Sequence, residues 1–173
     1  TLNFNQGGNS SSGLAISYYM FRDPTAWYHI VAAADYSNST AADRIKIYVN
    51  GSRIDLNITD DIENADGQCN GAFEHEIGAI GSSGAVFDGY MADINFIDGQ
   101  ALDASYFGYT EFQTKVWRPK RYTGTYGNNG FKLDFRDFTG NSGNNIGYDY
   151  SGNGNNFSPD NFSGTTDGAI DSP

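Results

Sequence analysis

The 173-residue chain contains few cysteines and prolines, the residues that stabilise a fold by cross-linking or stiffening the backbone. Its single cysteine is Cys69, so no disulfide can close within the chain. Four prolines and two methionines stand against 22 glycines and an aromatic content of 15%. Such a composition is typical of strands joined by tight turns. The length suits one domain, or one domain with an extension, and is enough to bury a core.

Basic residues are also scarce, since ten Lys and Arg against 21 Asp and Glu give a formal net charge of -11. Nucleic-acid binding needs basic side chains that neutralise phosphates, so no nucleic-acid partner is expected. No apolar run approaches the length that spans a bilayer, and we expect no membrane span. The opening residues TLNFNQGG do not have the basic and apolar parts of a signal peptide. They already read like mid-domain sequence, so we expect a piece of a longer chain.

Hydrophobic periodicity predicts a series of short strands. Residues 26–37 (AWYHIVAAADYS) follow a turn signal and are predicted to form a mostly buried strand. Residues 44–50 (RIKIYVN) alternate, which places every second residue from Ile45 on one face. Asn50-Gly51 joins this run to a second alternating run, 52–58, and is the preferred pair for a two-residue type I′ hairpin.

The later segments show weaker patterns. Residues 72–81 and 87–99 are bounded by glycines and are predicted to form strands. Residues 101–108 (ALDASYFG) predict a single helical turn with Asp103 near its start, and no long helix is expected. A further strand is predicted over 130–136, and the Gly/Asn/Ser-rich remainder is expected to be loop-like unless something pairs with it.

Several of these segments together resemble a known family. They are 27–31 (WYHIV) with Asp35, 45–51 (IKIYVNG), 80–81 (IG) and 87–94 (FDGYMADI). From about residue 14 to residue 110 the chain therefore resembles the laminin-G-like branch of the concanavalin A-like sandwiches. That family has a Trp-His strand, an Ile-x-Tyr-x-Asn-Gly hairpin and a Gly-x-(Ile/Leu)-x-(Asp/Glu) strand. Ala-Asp-Ile stands here in place of the usual Asp-Glu-Val.

The continuation, 96–108 and 116–135, is similar to uncharacterised repeat-bearing proteins of tailed phages and aquatic metagenomes, which resemble virion appendage components. This similarity implies an extracellular or virion-surface location. The resemblance and the strand pattern together predict an all-β fold, an antiparallel two-sheet jelly-roll sandwich with little helix. We expect residues 1–112 to form the sandwich. Residues 113–173 would form an extension that closes the same sandwich or that of a neighbouring subunit.

Catalytic residue patterns are sparse. Sandwiches of this kind also include glycoside hydrolases, whose retaining members hold two carboxylates about 5 Å apart. On a strand, acids two residues apart on one face meet that spacing, and within the predicted strands only Glu74 and Glu76 do so, with no third acid in phase. His29 is expected to be a packed strand residue, and His75 has an acidic neighbour on each side. Neither histidine has zinc-ligand spacing with Cys69, and no enzyme activity is expected.

The resemblance also implies a calcium site, because laminin-G-like and pentraxin-like sandwiches often hold Ca²⁺ at a rim of Asp carboxylates and loop carbonyls. The candidate ligands lie at predicted strand ends and are Asp35, Asp43 and Asp88. No dense Asp-x-Asp-x-Asp-Gly loop occurs, and ordinary turn-forming aspartates would occupy the same positions. No other cofactor is expected.

Glycans have two conceivable roles, as attached groups or as ligands. Six Asn-x-Ser/Thr triplets occur, and the candidates for glycosylation are Asn9, Asn38, Asn57 and Asn161. Sugar rings stack on exposed aromatic faces and hydrogen-bond to amides. The candidates for glycan binding are Trp117, Tyr122, Tyr126 and Asn128. For each aromatic residue the alternative is packing in the core or rim of the sandwich.

Three functions compete. The expected one is a non-enzymatic structural or adhesive module outside cells or on a virion; the others are a lectin-like domain of a larger protein and a glycoside hydrolase. Residues 148–157 (YDYSGNGNNF) bear on this choice. In laminin-G-like modules an x-Leu-x-Phe strand and an Asp-x-Ser-Gly-Asn-Gly-Asn turn usually open the sandwich. Placed last, this segment would close its own domain or enter a neighbour's, and the second case predicts a homo-oligomeric fibre built by strand exchange.

Overall fold

The computed structural model describes residues 3–4, 15–58, 70–71, 74–80, 85–137 and 145–160. These residues form short strands with very little helix: β1 (Asn3–Phe4), β2 (Ala15–Ser17), β3 (Ile30–Ala34), α1 (Ala41–Arg44), β4 (Ile45–Val49), β5 (Ser52–Arg53), β6 (Leu56–Ile58), β7 (Ala79–Ile80), β8 (Ala85–Val86), β9 (Ile94–Phe96), a 3₁₀ turn (Ala104–Tyr106), β10 (Gly108–Thr110), β11 (Trp117–Pro119) and β12 (Phe131–Leu133). All strand pairs are antiparallel, which confirms the all-β class. Over these ranges, no helix has the length and apolar character that a membrane crossing requires.

The chain divides into two compact units, and each is built from two stretches of sequence. The first comprises Thr1–Asn70 and Gly99–Gly124, and the second comprises Gly71–Asp98 and Thr125–Pro173. The first contains the sheets β1-β2-β6, β3-β4-β5 and β10-β11, and the second contains β7-β8 and β9-β12. The predicted limit at residue 112 falls inside the first unit and stays a prediction.

The predicted hairpin around Asn50-Gly51 is confirmed. In β4, Ile45, Ile47 and Val49 are buried, while the residues between them are only half-buried. Asn50 and Gly51 have φ values of +48° and +80°, and Val49 pairs with Ser52 across the turn. Positive φ at both central residues is what a type I′ turn requires, and Asn and Gly tolerate it best.

The core of the first unit forms where β2 and β4 bury their inward-facing side chains. Ala15 and Ile45 are fully buried, and the partly buried Tyr36, Leu56 and Ile58 pack against them. Burying one isoleucine side chain is worth about 1.5–3 kcal/mol. The predicted run 52–58 is divided in the structure, since β5 continues the hairpin with β4 whereas β6 pairs with β2.

Three strand predictions need correction. In 26–37 the strand covers only Ile30–Ala34, and Ala33 alone is buried within it, because β3 is an edge strand of its sheet. Trp27 and Ile30 are 43% and 45% exposed, so the segment is not mostly buried. In 72–81 and 87–99, strand structure among the described residues is limited to β7 and β9.

Other predictions for the later segments are confirmed. A single 3₁₀ turn forms at Ala104–Tyr106, and the Asp103 carboxylate caps it by accepting the Ser105 N–H at 2.7 Å. The predicted strand over 130–136 forms as β12, which pairs with β9. The Phe131 ring stacks on Phe96, with 5.4 Å between ring centroids.

The turn glycine provides a stability test with a matched control. A methyl group at Gly51 would lie 2.2 Å from Cε3 of Trp117, whereas one at Gly99 (φ +76°) would meet nothing within 4 Å. We predict that Gly99→Ala costs about 1–2 kcal/mol for its positive φ alone. Gly51→Ala should cost about 1–3 kcal/mol more, because the indole must also shift. Urea unfolding followed by tryptophan fluorescence tests this, since Trp27 and Trp117 both belong to the first unit; equal costs would contradict the close Gly51–Trp117 contact.

Candidate functional site

The candidate site is centred on the Asp149 carboxylate in the second unit, which accepts four hydrogen bonds and is only 2% exposed. Its Oδ1 accepts the backbone N–H groups of Lys132 and Ser151, both at 2.8 Å. Its Oδ2 accepts the Ser151 hydroxyl at 2.8 Å and the Asn155 N–H at 2.9 Å. Four donors match the roughly four lone-pair positions of a carboxylate, so these bonds saturate Asp149.

The C-terminal segment thereby covers an edge of β12. The Lys132 N–H donates to Asp149, and the Lys132 carbonyl accepts the Tyr150 N–H at 2.8 Å. The Lys132 ammonium lies 3.1 Å from Oδ1 of Asp93. Residues 145–160 are therefore docked on β12 of their own chain, as turns and extended loop with no strand assigned.

Asparagine side chains extend this docking to the loop before β12. Nδ2 of Asn153 donates to the carbonyls of Gly127 (2.6 Å) and Gly130 (2.8 Å). Nδ2 of Asn155 donates to the carbonyls of Asn128 (3.1 Å) and Gly130 (3.0 Å). Because a side chain at Gly130 would collide with the Tyr126 carbonyl oxygen, glycine is required at this close approach. The motif thus supplies hydrogen-bond donors to three carbonyls that lie in the loop before β12.

Two opposing effects set the pKa of Asp149. Burial, the larger single effect, acts to raise it, but the N–H groups of Lys132, Ser151 and Asn155 and the Ser151 hydroxyl together lower the pKa below the usual aspartate value. The carboxylate is therefore held ionised with its lone pairs occupied. The Asp149 carboxylate therefore holds the backbone of Lys132, Ser151 and Asn155 in place and has no free lone pair with which to bind a cation.

The first-unit residues predicted to bind glycans have packing roles. The Trp117 indole lies against Gly51 and Gly108, and its buried Nε1 has no hydrogen-bond partner within the described ranges. The Tyr122 ring is 6% exposed and stacks on Phe107, with 5.1 Å between centroids. Trp117 is half-buried, whereas the Tyr122 ring is enclosed by its neighbours.

The second-unit candidates lie beside the docked tail. The Tyr126 hydroxyl donates to Oδ1 of Asn95 at 2.8 Å. Asn128 is exposed, and its carbonyl accepts Nδ2 of Asn155. Because Trp117 and Tyr122 belong to the first unit, the four candidates divide between two units. Glycan binding stays a prediction for them.

The three aspartates proposed for calcium divide between the two units, with Asp35 and Asp43 in the first and Asp88 in the second. Oδ1 of Asp35 accepts the Ser37 hydroxyl at 2.6 Å and the Ser37 N–H at 3.2 Å, and this bonding lowers the pKa of Asp35. Oδ1 of Asp43 lies 2.6 Å from Nη1 of Arg53, and Asp88 is exposed in the second unit. The part of the chain that the structure describes contains no group of three or more His, Cys, Asp or Glu side chains that could hold a metal.

Of the acids and histidines considered for catalysis, Glu74, His75 and Glu76 belong to the second unit and His29 belongs to the first. Glu74, His75 and Glu76 are exposed and form no strand, so the strand geometry that would align the two carboxylates is not present. His29 packs near Trp117, with 5.8 Å between ring centroids, and its backbone N–H donates to Oδ1 of Asn50 at 2.9 Å. His29 is half-buried and lies directly before β3, so it is packed as predicted but is not a strand residue. Cys69 lies outside the described residues.

The glycosylation candidates differ in accessibility. Asn57 is exposed on β6, opposite Ile16. Asn38 is half-buried, and its Oδ1 accepts the Thr40 N–H at 2.9 Å. Asn9 and Asn161 lie outside the described residues, and glycosylation stays a prediction at all four.

Sequence patterns had indicated the Asp-x-Ser-Gly-Asn-Gly-Asn turn, but the part played by Asp149 in holding β12 was not foreseen. The available signal is the concentration of short polar side chains around Gly152 and Gly154, namely Asp149, Ser151, Asn153 and Asn155, because such side chains hydrogen-bond to backbone in turns. Comparison with known proteins adds no assignment, because no family model, curated protein or solved structure matches the chain.

Replacing Asp149 tests this network. In Asp149→Asn an amide NH₂ replaces one carboxylate oxygen and faces N–H or O–H donors whose hydrogen bonds it cannot accept. We predict a loss of about 3 kcal/mol in the stability of the second unit. The control is Asp160→Asn, an exposed position that should change stability by less than about 0.5 kcal/mol. The measurement is the intensity of the Lys132 and Ser151 amide NMR signals through a urea titration.

The same pair of variants has a pH signature. Because folding lowers the pKa of Asp149, its contribution is complete above the unfolded value of about 3.9 and is lost as pH falls through the folded pKa. The Asp149→Asn variant should therefore lose less stability between pH 5 and pH 2, approximately, than the wild type. Parallel pH curves for the two proteins would contradict an ionised, hydrogen-bonded Asp149.

Proposed function

We propose that the chain is a non-enzymatic structural or adhesive module that acts outside cells or on a virion surface. The observation that supports this most directly is the use of its buried charged side chains. Asp149 binds the backbone of Lys132, Ser151 and Asn155, as described above. Nε of the buried Arg44 donates to the Asn38 carbonyl at 2.8 Å.

A stable structural module requires that its buried charged side chains be fully hydrogen-bonded. Burying an ionised group is unfavourable unless charge-assisted hydrogen bonds compensate for the lost hydration. The bond from the Lys132 N–H to Asp149 joins backbone segments that are 17 positions apart in the sequence. Such cross-links support strands without a disulfide.

The finer architecture belongs to the same proposal. A laminin-G-like jelly-roll sandwich is supported by the Asn50-Gly51 hairpin and by the Asp-x-Ser-Gly-Asn-Gly-Asn turn that covers β12. A fibre built by strand exchange is the alternative to docking within one chain; in it the tail of a neighbour would replace residues 145–160 on β12, which is a domain swap. The contacts of Asp149 are the ones that such an exchange would reproduce between copies.

A glycan array with a hydrolysis assay tests the proposed function. We predict no selective glycan signal in calcium or in chelator, and no release of sugar from the arrayed oligosaccharides. Calcium-dependent, selective binding would contradict the proposal and favour the lectin-like alternative. Hydrolysis that is lost in both Glu74→Gln and Glu76→Gln would favour the glycoside hydrolase.

A further inference from the structure

The β10–β11 hairpin has an exposed surface on which aromatic rings and cations lie side by side. Tyr109 and Arg118 are directly opposite each other on the two strands, and both are exposed. In the turn, the Lys115 ammonium lies 4.3 Å from the centroid of the Phe112 ring, and Phe112 is 81% exposed. The residues after β11 are also cationic and exposed: Lys120 and Arg121. We call residues 109–121 the basic hairpin.

The basic hairpin is ordered before any partner binds. The Trp117 indole lies against Gly51 and Gly108. Within the turn, the Glu111 N–H donates to the Val116 carbonyl and the Lys115 N–H donates to the Glu111 carbonyl, both at 2.9 Å. Because the exposed side chains stand on a fixed backbone, a partner would bind with a small ordering cost.

The second unit has an exposed surface that combines apolar side chains with acidic ones. The β7–β8 hairpin continues through the Phe87 N–H, which donates to the Gly78 carbonyl at 2.8 Å. Val86 and Tyr90 are 73% and 74% exposed, and Phe87 is 55% exposed. The neighbouring acids are exposed as well: Glu74, Glu76 and Asp88. We call residues 74–76 and 86–91 the acidic patch.

Charge is segregated along the sequence in the same way. Residues 54–114 contain twelve Asp and Glu and no Lys or Arg, whereas residues 115–121 contain four Lys and Arg and no acid. Exposed apolar surfaces on a soluble protein commonly mark interaction sites, and complementary charge selects the partner and its orientation. The basic hairpin requires an acidic, aromatic partner, and the acidic patch has that chemistry.

We propose that the basic hairpin of one copy binds the acidic patch of a second copy. This inference rests on the proposed structural role, because a repeating module needs a contact that joins its copies. The two surfaces are different, so the contact is heterologous, and a pair of copies retains one unused hairpin and one unused patch from which an open chain can grow. Residues 145–160 are not required for it, since they remain docked on β12.

Sedimentation velocity over a protein concentration series at low salt tests the proposal. The sedimentation coefficient should rise with concentration and return toward that of the monomer in about 0.5 M salt, because screening weakens the charge contacts. Two charge-reversal variants, Lys120→Glu/Arg121→Glu and Glu74→Lys/Asp88→Lys, should each lower the apparent association constant at least about tenfold. Phe112→Ser should do the same through loss of apolar contact, whereas Tyr18→Ser, at a 71% exposed site of the first unit, should not.

Charge exchange separates a broken contact from a misfolded protein. An equimolar mixture of the two reversal variants, or one chain with all four substitutions, should regain the association, because the attractive pairing is restored with its signs exchanged. A wild-type chain that stays monomeric at every concentration would overturn the inference, and so would association that neither reversal weakens. The proposed function fails by a separate result, selective glycan binding or hydrolysis in the array.

Discussion

The carboxylate of Asp149 is the contact on which the described second unit most depends, because it joins the C-terminal segment to β12. β9 pairs with β12 on one side, and the backbone N–H and C=O groups of Lys132 bond to Asp149 and Tyr150. A strand edge without partners would be open to water and to other chains. The docked tail removes that exposure within one chain, and it does so with side-chain oxygens and amides in place of a further strand.

Local features of the fold were predictable from sequence, and long-range ones were not. The Asn50-Gly51 turn, the alternation in β4 and the Asp103 cap depend on neighbouring residues, and each was predicted. The overestimated burial of residues 26–37 has a different cause. Apolar composition does not reveal that β3 lies at a sheet edge, because edge position depends on which strands pair.

In the candidate site, too, the local features were predictable from sequence and the long-range contacts were not. The Asp-x-Ser-Gly-Asn-Gly-Asn spacing indicated a turn in its own right, yet its targets, Lys132 and the 127–130 loop, are set by tertiary contacts. The packing of Trp117 against Gly51 and Gly108 likewise joins segments that no local pattern connects. The proposed role rests on the docked tail of the second unit, and the proposed self-association rests on two exposed surfaces of opposite charge, one in each unit.

The central claim is that the tail docks on β12 of its own chain. Amide hydrogen exchange at Lys132, Ser151 and Asn155 tests it most directly, because these three N–H groups donate to the Asp149 carboxylate. The account predicts that the three amides are protected together, and to the same degree at low and at high protein concentration. Protection that appears only at high concentration would contradict the account, because it would show that the tail docks on a neighbouring copy.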